Sequence, residues 1–345
     1  MNNGISVYCG LNCSIDENIV LIETAASIGL KRLFTSAIIP EAETDNLEFV
    51  TILACAIEND MEIILDVTPE TISTFDFEQI TLRLDDGFTA LQIAALSHIH
   101  RIMLNASTVT EKLLLSLIET KANFENISAL HNFYPHVYTG LDVQFFKSQN
   151  NILQSFGIPV GAFVASQDGR RRPPFEEGLP TVEVTRNMSV EYTARYLAAL
   201  DTDFIIISDS LPTSEECSSL TNIAPHEAII KARLLTDDAN VINLLKQKFY
   251  SRLEQSSQVI RAANSRTLLN SMNIVIKSDN NPQPRQKGYI TVDNADFGRY
   301  MGEIQIVKCD LPADPRVNVA AQILESEFPI LNCISPKQNF SFIFI

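Results

Sequence analysis

The sequence has no run of the roughly 18 to 20 apolar residues that a membrane-spanning helix needs. Its first residues, MNNGISVYCG, lack the basic and apolar regions of a secretion signal, so a cytoplasmic chain with no membrane partner is the expectation. Cysteine is sparse: Cys9, Cys13, Cys55, Cys217, Cys309 and Cys333 are scattered over 345 residues, without the dense spacing of a disulfide framework. The pair in CGLNC (9–13) could open a metal site, but no second ligand pair follows it. The thiols therefore read as buried side chains, and neither a metal nor a cofactor is expected. Positive charge is also short, with 26 Lys and Arg against 42 Asp and Glu and a net charge of −16. That balance repels a nucleic-acid backbone but leaves room for a small anion in a local basic pocket. No Gly-rich nucleotide fingerprint follows the first candidate strand, no repeat period appears, and no lysine ends a candidate strand, which disfavours Schiff-base chemistry.

What is present is an alternation. Eight short apolar runs, GISVY (4–8), RLFTS (32–36), EIILDV (62–67), TLRLD (81–85), RIMLN (101–105), NISALH (126–131), IPVGAFV (158–164) and DFIIISD (203–209), read as strands. Helix-like segments such as SIDENIVLIETAASIGL and TVTEKLLLSLIETKA lie between them, with Ser or Thr near the start as caps. Eight strand-then-helix units predict a TIM-like (β/α)8 barrel with its chemistry at the C-terminal strand ends. A doubly wound open sheet is the rival. Beyond about residue 230, HEAIIKARLL, NIVIKS, GYITVD, GEIQIVKCDL and FSFIFI read as strands between polar turns, with one helix near 240–255. The expected domains are a barrel over 1–228 and a small β domain, barrel or sandwich, over 229–345.

Side chains alternate along a strand, so Arg83 and Asp85 share one face of TLRLD while the leucines share the other. With the leucines against helices, Arg83 and Asp85 point into the barrel. The same logic places Asp66, Asn105, His131 and Asp209 at strand ends. Each has a plainer reading: Asp66 and Asp209 as N-caps of following helices, His131 as a satisfied core residue. The stretch ALHNFYPHVYTGL (129–141) is dense in polar and aromatic groups around a proline turn, as a site rim would be.

Several of these words occur together in one family. GISVY, LRLDDGF, NAST, HNFYP, YTGL, EEGLPTVE with TRN close behind, and VDNADFGRYMGEIQI in the second domain resemble the 6-phospho-N-acetylmuramidase family of glycoside hydrolases, in order along essentially the whole chain. The resemblance implies a TIM-like barrel followed by a cyclophilin-like β-barrel domain. It implies an enzyme of peptidoglycan recycling that cleaves the β-1,4 bond of N-acetylmuramic acid 6-phosphate–N-acetylglucosamine, its partner being that small phosphorylated disaccharide. His136 stands where Arg or Gln is expected, and the run from Arg170 to Pro174 is more basic than expected.

Most glycosidases need two carboxyl groups flanking the scissile bond. Asp85 and Glu183 are the expected pair, with Asp66 as substitute. The substrate's phosphate and lactyl carboxylate call for arginine, and Arg186 is the first candidate, ahead of Arg170, Arg171 and Arg172. Arg83, Asn105, His131, Asn132, Tyr134 and Gln167 complete the expected substrate-binding set, with Arg299 from the second domain. The alternative function is a sugar-phosphate-binding barrel that has no catalysis or a different one. Oligomeric state is left open.

Overall fold

The computed structural model describes residues 1–36, 46–72, 80–84, 87–279 and 281–345. It divides into two units, Met1–Pro225 and His226–Ile345, against the expected boundary at 228/229.

In the first unit β1 (Gly4–Ser6), β2 (Arg32–Ser36), β3 (Glu62–Val67), β4 (Ile80–Leu84), β5 (Arg101–Asn105), β6 (Ile127–Leu130), β7 (Val160–Val164) and β8 (Phe204–Ile207) pair in chain order as a closed parallel barrel. The pairing of Gly4 with Ile206 closes it and excludes the open sheet. Among the described residues the helices are α1 (Ile15–Ser27), α2 (Asn46–Glu58), α3 (Ala90–Ser97), α4 (Glu111–Glu119), α5 (Val143–Ser155), α6 (Val190–Ala199) and α7 (Ser214–Ser219). Their starts are set by local chemistry. Ser14 accepts a hydrogen bond from Glu17 N while Glu17 accepts one from Ser14 N, which satisfies donors that a helix N-terminus leaves open. Thr213 starts α7 with the same reciprocal box, and the side chains of Thr110, Asp142 and Ser189 accept from first-turn backbone N–H groups of α4, α5 and α6.

The pleat sorts side chains between the barrel interior and the helices. Tyr8, Phe34, Ile64, Met103, Leu130, Phe163, Phe204 and Ile206 form one buried cluster. Below it, at the N-terminal strand ends, Arg32 Nε donates to Glu62 (2.8 Å) and Thr81 Oγ1 donates to the same carboxylate (2.8 Å). The Arg32 guanidinium lies 3.8 Å from the centre of the Phe204 ring. That ring has room because position 161 is glycine: a Cβ there would stand 2.1 Å from it. Burying such a side chain contributes roughly 1.5–3 kcal/mol.

The second unit is a seven-stranded sheet of β9 (Glu227–Leu234), β10 (Phe249–Tyr250), β11 (Val259–Arg261), β12 (Tyr289–Asp293), β13 (Ile304–Val307), β14 (Val317–Ile323) and β15 (Asn339–Phe344), in the order β10-β15-β9-β14-β12-β13-β11. Only β15 and β9 run parallel. The helices α8 (Ala239–Leu245), α9 (Ser265–Met272) and α10 (Phe328–Cys333) accompany it. One expected strand, NIVIKS, is absent. Asn273 ends α9 in the left-handed region (φ 54°), and the backbone carbonyl of Lys277 is captured by the Asn318 side chain (2.7 Å) instead of a ladder. Ile276 is nevertheless fully buried, so its apolar character served packing without a strand.

Candidate active site at the barrel mouth

Asp66 and Arg83 face each other across the β3–β4 pairing, on the inward side of both strands. Arg83 donates one terminal nitrogen to Asp66 Oδ1 (2.6 Å) and the other to Asn132 Oδ1. Arg83 is 4% exposed, and its Nε is buried with no hydrogen-bond partner among the described residues. Asp66 is thus a carboxylate held by a buried guanidinium, with about a quarter of its side chain (23%) open to solvent. Asp85, the expected catalytic partner, lies outside the described residues.

Asn132 faces the interior in phase with Ser128 and Leu130, and its neighbour does not. His131 points outward into α5, fully buried, 4.6 Å from the Phe146 ring centre. Nε2 meets Asn150 Oδ1 at 2.9 Å and Nδ1 meets Ser107 Oγ at 3.1 Å. Because Asn150 offers its oxygen, Nε2 carries the proton and Nδ1 accepts from Ser107. Burial lowers the ring's pKa to about 4, so it is neutral. The expectation that His131 contacts sugar is corrected by pleat phase: it fastens β6 to α5. Asn105 is 7% exposed and accepts from Ser107 N (3.1 Å) at the end of β5.

Glu183 and Arg186 belong to each other. The guanidinium approaches both carboxylate oxygens, at 2.8 and 2.7 Å, while Tyr138 N (2.8 Å) and Gly140 N (2.7 Å) donate to the same two oxygens. These contacts, Arg186 foremost, hold the Glu183 carboxyl at a pKa of about 2. Arg186 also donates to the carbonyls of Gly178, Tyr134 and His136 at 2.9, 3.0 and 3.1 Å. It is 4% exposed. The pair thus ties the turn after β6 to the segment after β7. Gly140 is required at that point, since a Cβ would stand 2.6 Å from Glu183 Oε2. In this arrangement neither residue is available as a proton donor or a free anion ligand. Tyr134 is half-buried, with its N–H on Pro180 O (3.0 Å). Gln167 is likewise committed, donating to Arg186 O (2.8 Å) and accepting from Arg171 (3.0 Å).

The arginine run divides by partner. Arg170 pairs with Glu17 at 2.8 Å, and Arg171 bonds Gln167 and Ser166 O. Arg172 alone has no side-chain hydrogen bond or ion pair among the described residues, and its Nε is buried without a partner. Its guanidinium carbon lies 4.7 Å from the Tyr8 ring centre and 5.6 Å from that of Phe133, above the barrel's aromatic cluster. The Tyr8 hydroxyl donates to Ser208 O (2.8 Å), and its pKa is raised by burial, with Arg172 opposing and Asp209 and Asp66 adding to the rise. Arg172 therefore sits against one buried ring at the mouth. Asp209, also fully buried, accepts from Ser166 N (2.8 Å) and Arg172 N (3.1 Å), so it braces this loop. It does not cap α7; Thr213 does. Burial raises its pKa to about 6. Tyr8 was not among the expected site residues, and Arg172 was expected only behind Arg186 as an anion ligand. Tyr8 ends GISVY in phase with Ser6, and the arginine run was visible, but which of its members lacked a partner was not.

Arg299 lies in the second unit, donating to the Tyr300 hydroxyl at 3.0 Å.

The chain matches the family described as 6-phospho-N-acetylmuramidase, N-terminal, over residues 3–222 and its C-terminal counterpart over residues 229–343. It is similar to the crystal structure of an uncharacterized B. cereus protein, with a TM-score of 0.81 and 27% identity over 99% of this chain and 98% of that one. It is also similar to a conserved Enterococcus faecalis protein of unknown function, with a TM-score of 0.61 and 30% identity over 99% of this chain and 96% of that one. No functionally curated protein matches it. With both family segments present in order over nearly the whole length, the chain belongs to the 6-phospho-N-acetylmuramidase family.

Proposed function

We propose that this protein hydrolyses the β-1,4 bond between N-acetylmuramic acid 6-phosphate and N-acetylglucosamine, as a cytoplasmic enzyme of peptidoglycan recycling. The family name supports a glycoside hydrolase. The observation that carries the reading at residue level is an Arg172 guanidinium with no side-chain hydrogen bond or ion pair among the described residues, at the same C-terminal end of the barrel strands as the Asp66–Arg83 pair. An anionic sugar needs such a cation, and glycoside cleavage needs carboxyl groups near it. In this reading Arg172, rather than Arg186, takes the phosphate or the lactyl carboxylate. Asp66 stays ionised under Arg83 as base or nucleophile, and Asp85 supplies the acid. Asn105, Asn132 and Tyr134 bond sugar hydroxyls or the N-acetyl group, while Glu183, Arg186 and Gln167 hold the rim in shape. The cyclophilin-like description of the second unit belongs to the same reading, supported by its mixed seven-stranded sheet.

The test is incubation with the 6-phosphorylated disaccharide and with its unphosphorylated twin, both products being followed by mass. Release of N-acetylglucosamine from the first, at least about tenfold faster than from the second, is expected, since one charge-assisted contact is worth roughly 1.5–3 kcal/mol. Ligand-dependent melting without product would assign a binding barrel instead.

A further inference from the structure

The second unit contains a polar cavity of about 450 Å³, walled by Arg266, Thr267 and Asn270 of α9 and by Gly298, Arg299 and Met301. Its two arginines are close neighbours. Arg266 donates to the carbonyl of Arg299 (3.1 Å), and both guanidiniums lie against Tyr300, 5.4 and 5.0 Å from its ring centre. Elsewhere in this unit Arg252 and Arg261 share Glu303, and Arg316 holds Asp314. Arg266 and Arg299 have no carboxylate partner among the described residues, in a chain with 42 acidic residues. Like charges brought together around one ring repel, and a bound anion relieves that repulsion. Two guanidiniums match a phosphate monoester, which carries nearly two charges at neutral pH, better than a single carboxylate. The volume lies within the range of small-molecule sites, roughly 300–1,000 Å³.

We propose that this cavity binds a phosphorylated sugar of monosaccharide size, its phosphate on Arg266 and Arg299 and its hydroxyls on Thr267 and Asn270. The site stands on the second unit alone and does not depend on the hydrolytic reading of the barrel.

The experiment uses the full chain with isotope-labelled tyrosine, the Tyr300 ring resonance being assigned through Tyr300→Phe. Glucose 6-phosphate is expected to shift that resonance saturably, and glucose or chloride at matched ionic strength to leave it in place. Arg266→Gln and Arg299→Gln should each weaken the response about tenfold or more, with Arg299→Lys restoring part of it. Arg172→Met, in the barrel, should leave it unchanged. No response to glucose 6-phosphate overturns the proposal. So does an equal response to glucose or chloride, or one that survives both glutamine replacements.

Discussion

Glu183 accepts two hydrogen bonds from Arg186 and two from backbone N–H groups, and its carboxyl is held at about 2 instead of its ordinary 4.5. The depressed value means that its contribution to stability is complete above pH 4.5 and is lost as pH falls from there to about 2. Glu183→Gln should therefore destabilise the barrel at neutral pH by at most about 3 kcal/mol, with the difference from the parent vanishing at the acid end, read from urea midpoints across pH. Its effect on kcat should follow stability; a fully folded Glu183→Gln with a hundredfold lower kcat would return the residue to the chemistry. The two arginines should separate in the same manner. Arg172→Met is expected to lower kcat/KM for the phosphorylated disaccharide by about tenfold or more at unchanged melting temperature. Arg186→Met, which strands a carboxylate and several carbonyls, should lose about 3 kcal/mol of stability. Asp66→Asn should cut kcat about a hundredfold or more while the fold persists, with product release by mass as the readout.

Strands and helices of the barrel were legible because short apolar runs with polar alternation and Ser or Thr caps are local signals, and all eight runs became strands. Phase at a strand end was less legible. NISALH carries no mark of where the pleat turns: strand alternation alone brings His131 to the site, whereas Asn132 one residue later is the one that faces the interior. The tie between Glu183, Arg186 and the turn at 138–140 joins separate loops, and only the three-residue spacing of the pair was visible beforehand. In the second unit VNVAAQI (317–323) is the strand between β9 and β12, although Asn318 and two alanines dilute its apolar alternation. The fastening of β6 to α5 has a pH signature. Below its ordinary 6.5 an unfolded His131 takes up a proton that the buried ring refuses until about pH 4, so stability falls across that window as pH drops. His131→Gln should flatten the profile there, as seen in urea midpoints. On the barrel floor, Gly161→Ala should cost about 1–3 kcal/mol by crowding Phe204, and adding Phe204→Leu should recover part of it.

At the scale of the molecule, each unit has its own sheet and its own buried residues. Residues 1–225 expressed alone should therefore melt in one cooperative transition, and a broad, non-cooperative melt would show that the barrel needs the rest of the chain. The net charge of −16 makes cations that are not matched to carboxylates conspicuous, which is why Arg172 carries weight in an otherwise acidic protein. Its seat above Tyr8 has an optical consequence. The chain has no tryptophan and eight tyrosines, so its near-ultraviolet absorption comes chiefly from phenols. Tyr8 is a buried one whose electronic surroundings include the very guanidinium proposed to receive the substrate. Neutralising that cation with a ligand changes the field across the phenol, so the barrel mouth holds a built-in chromophore for substrate arrival. A difference spectrum that disappears in Tyr8→Phe would follow binding in real time without a label.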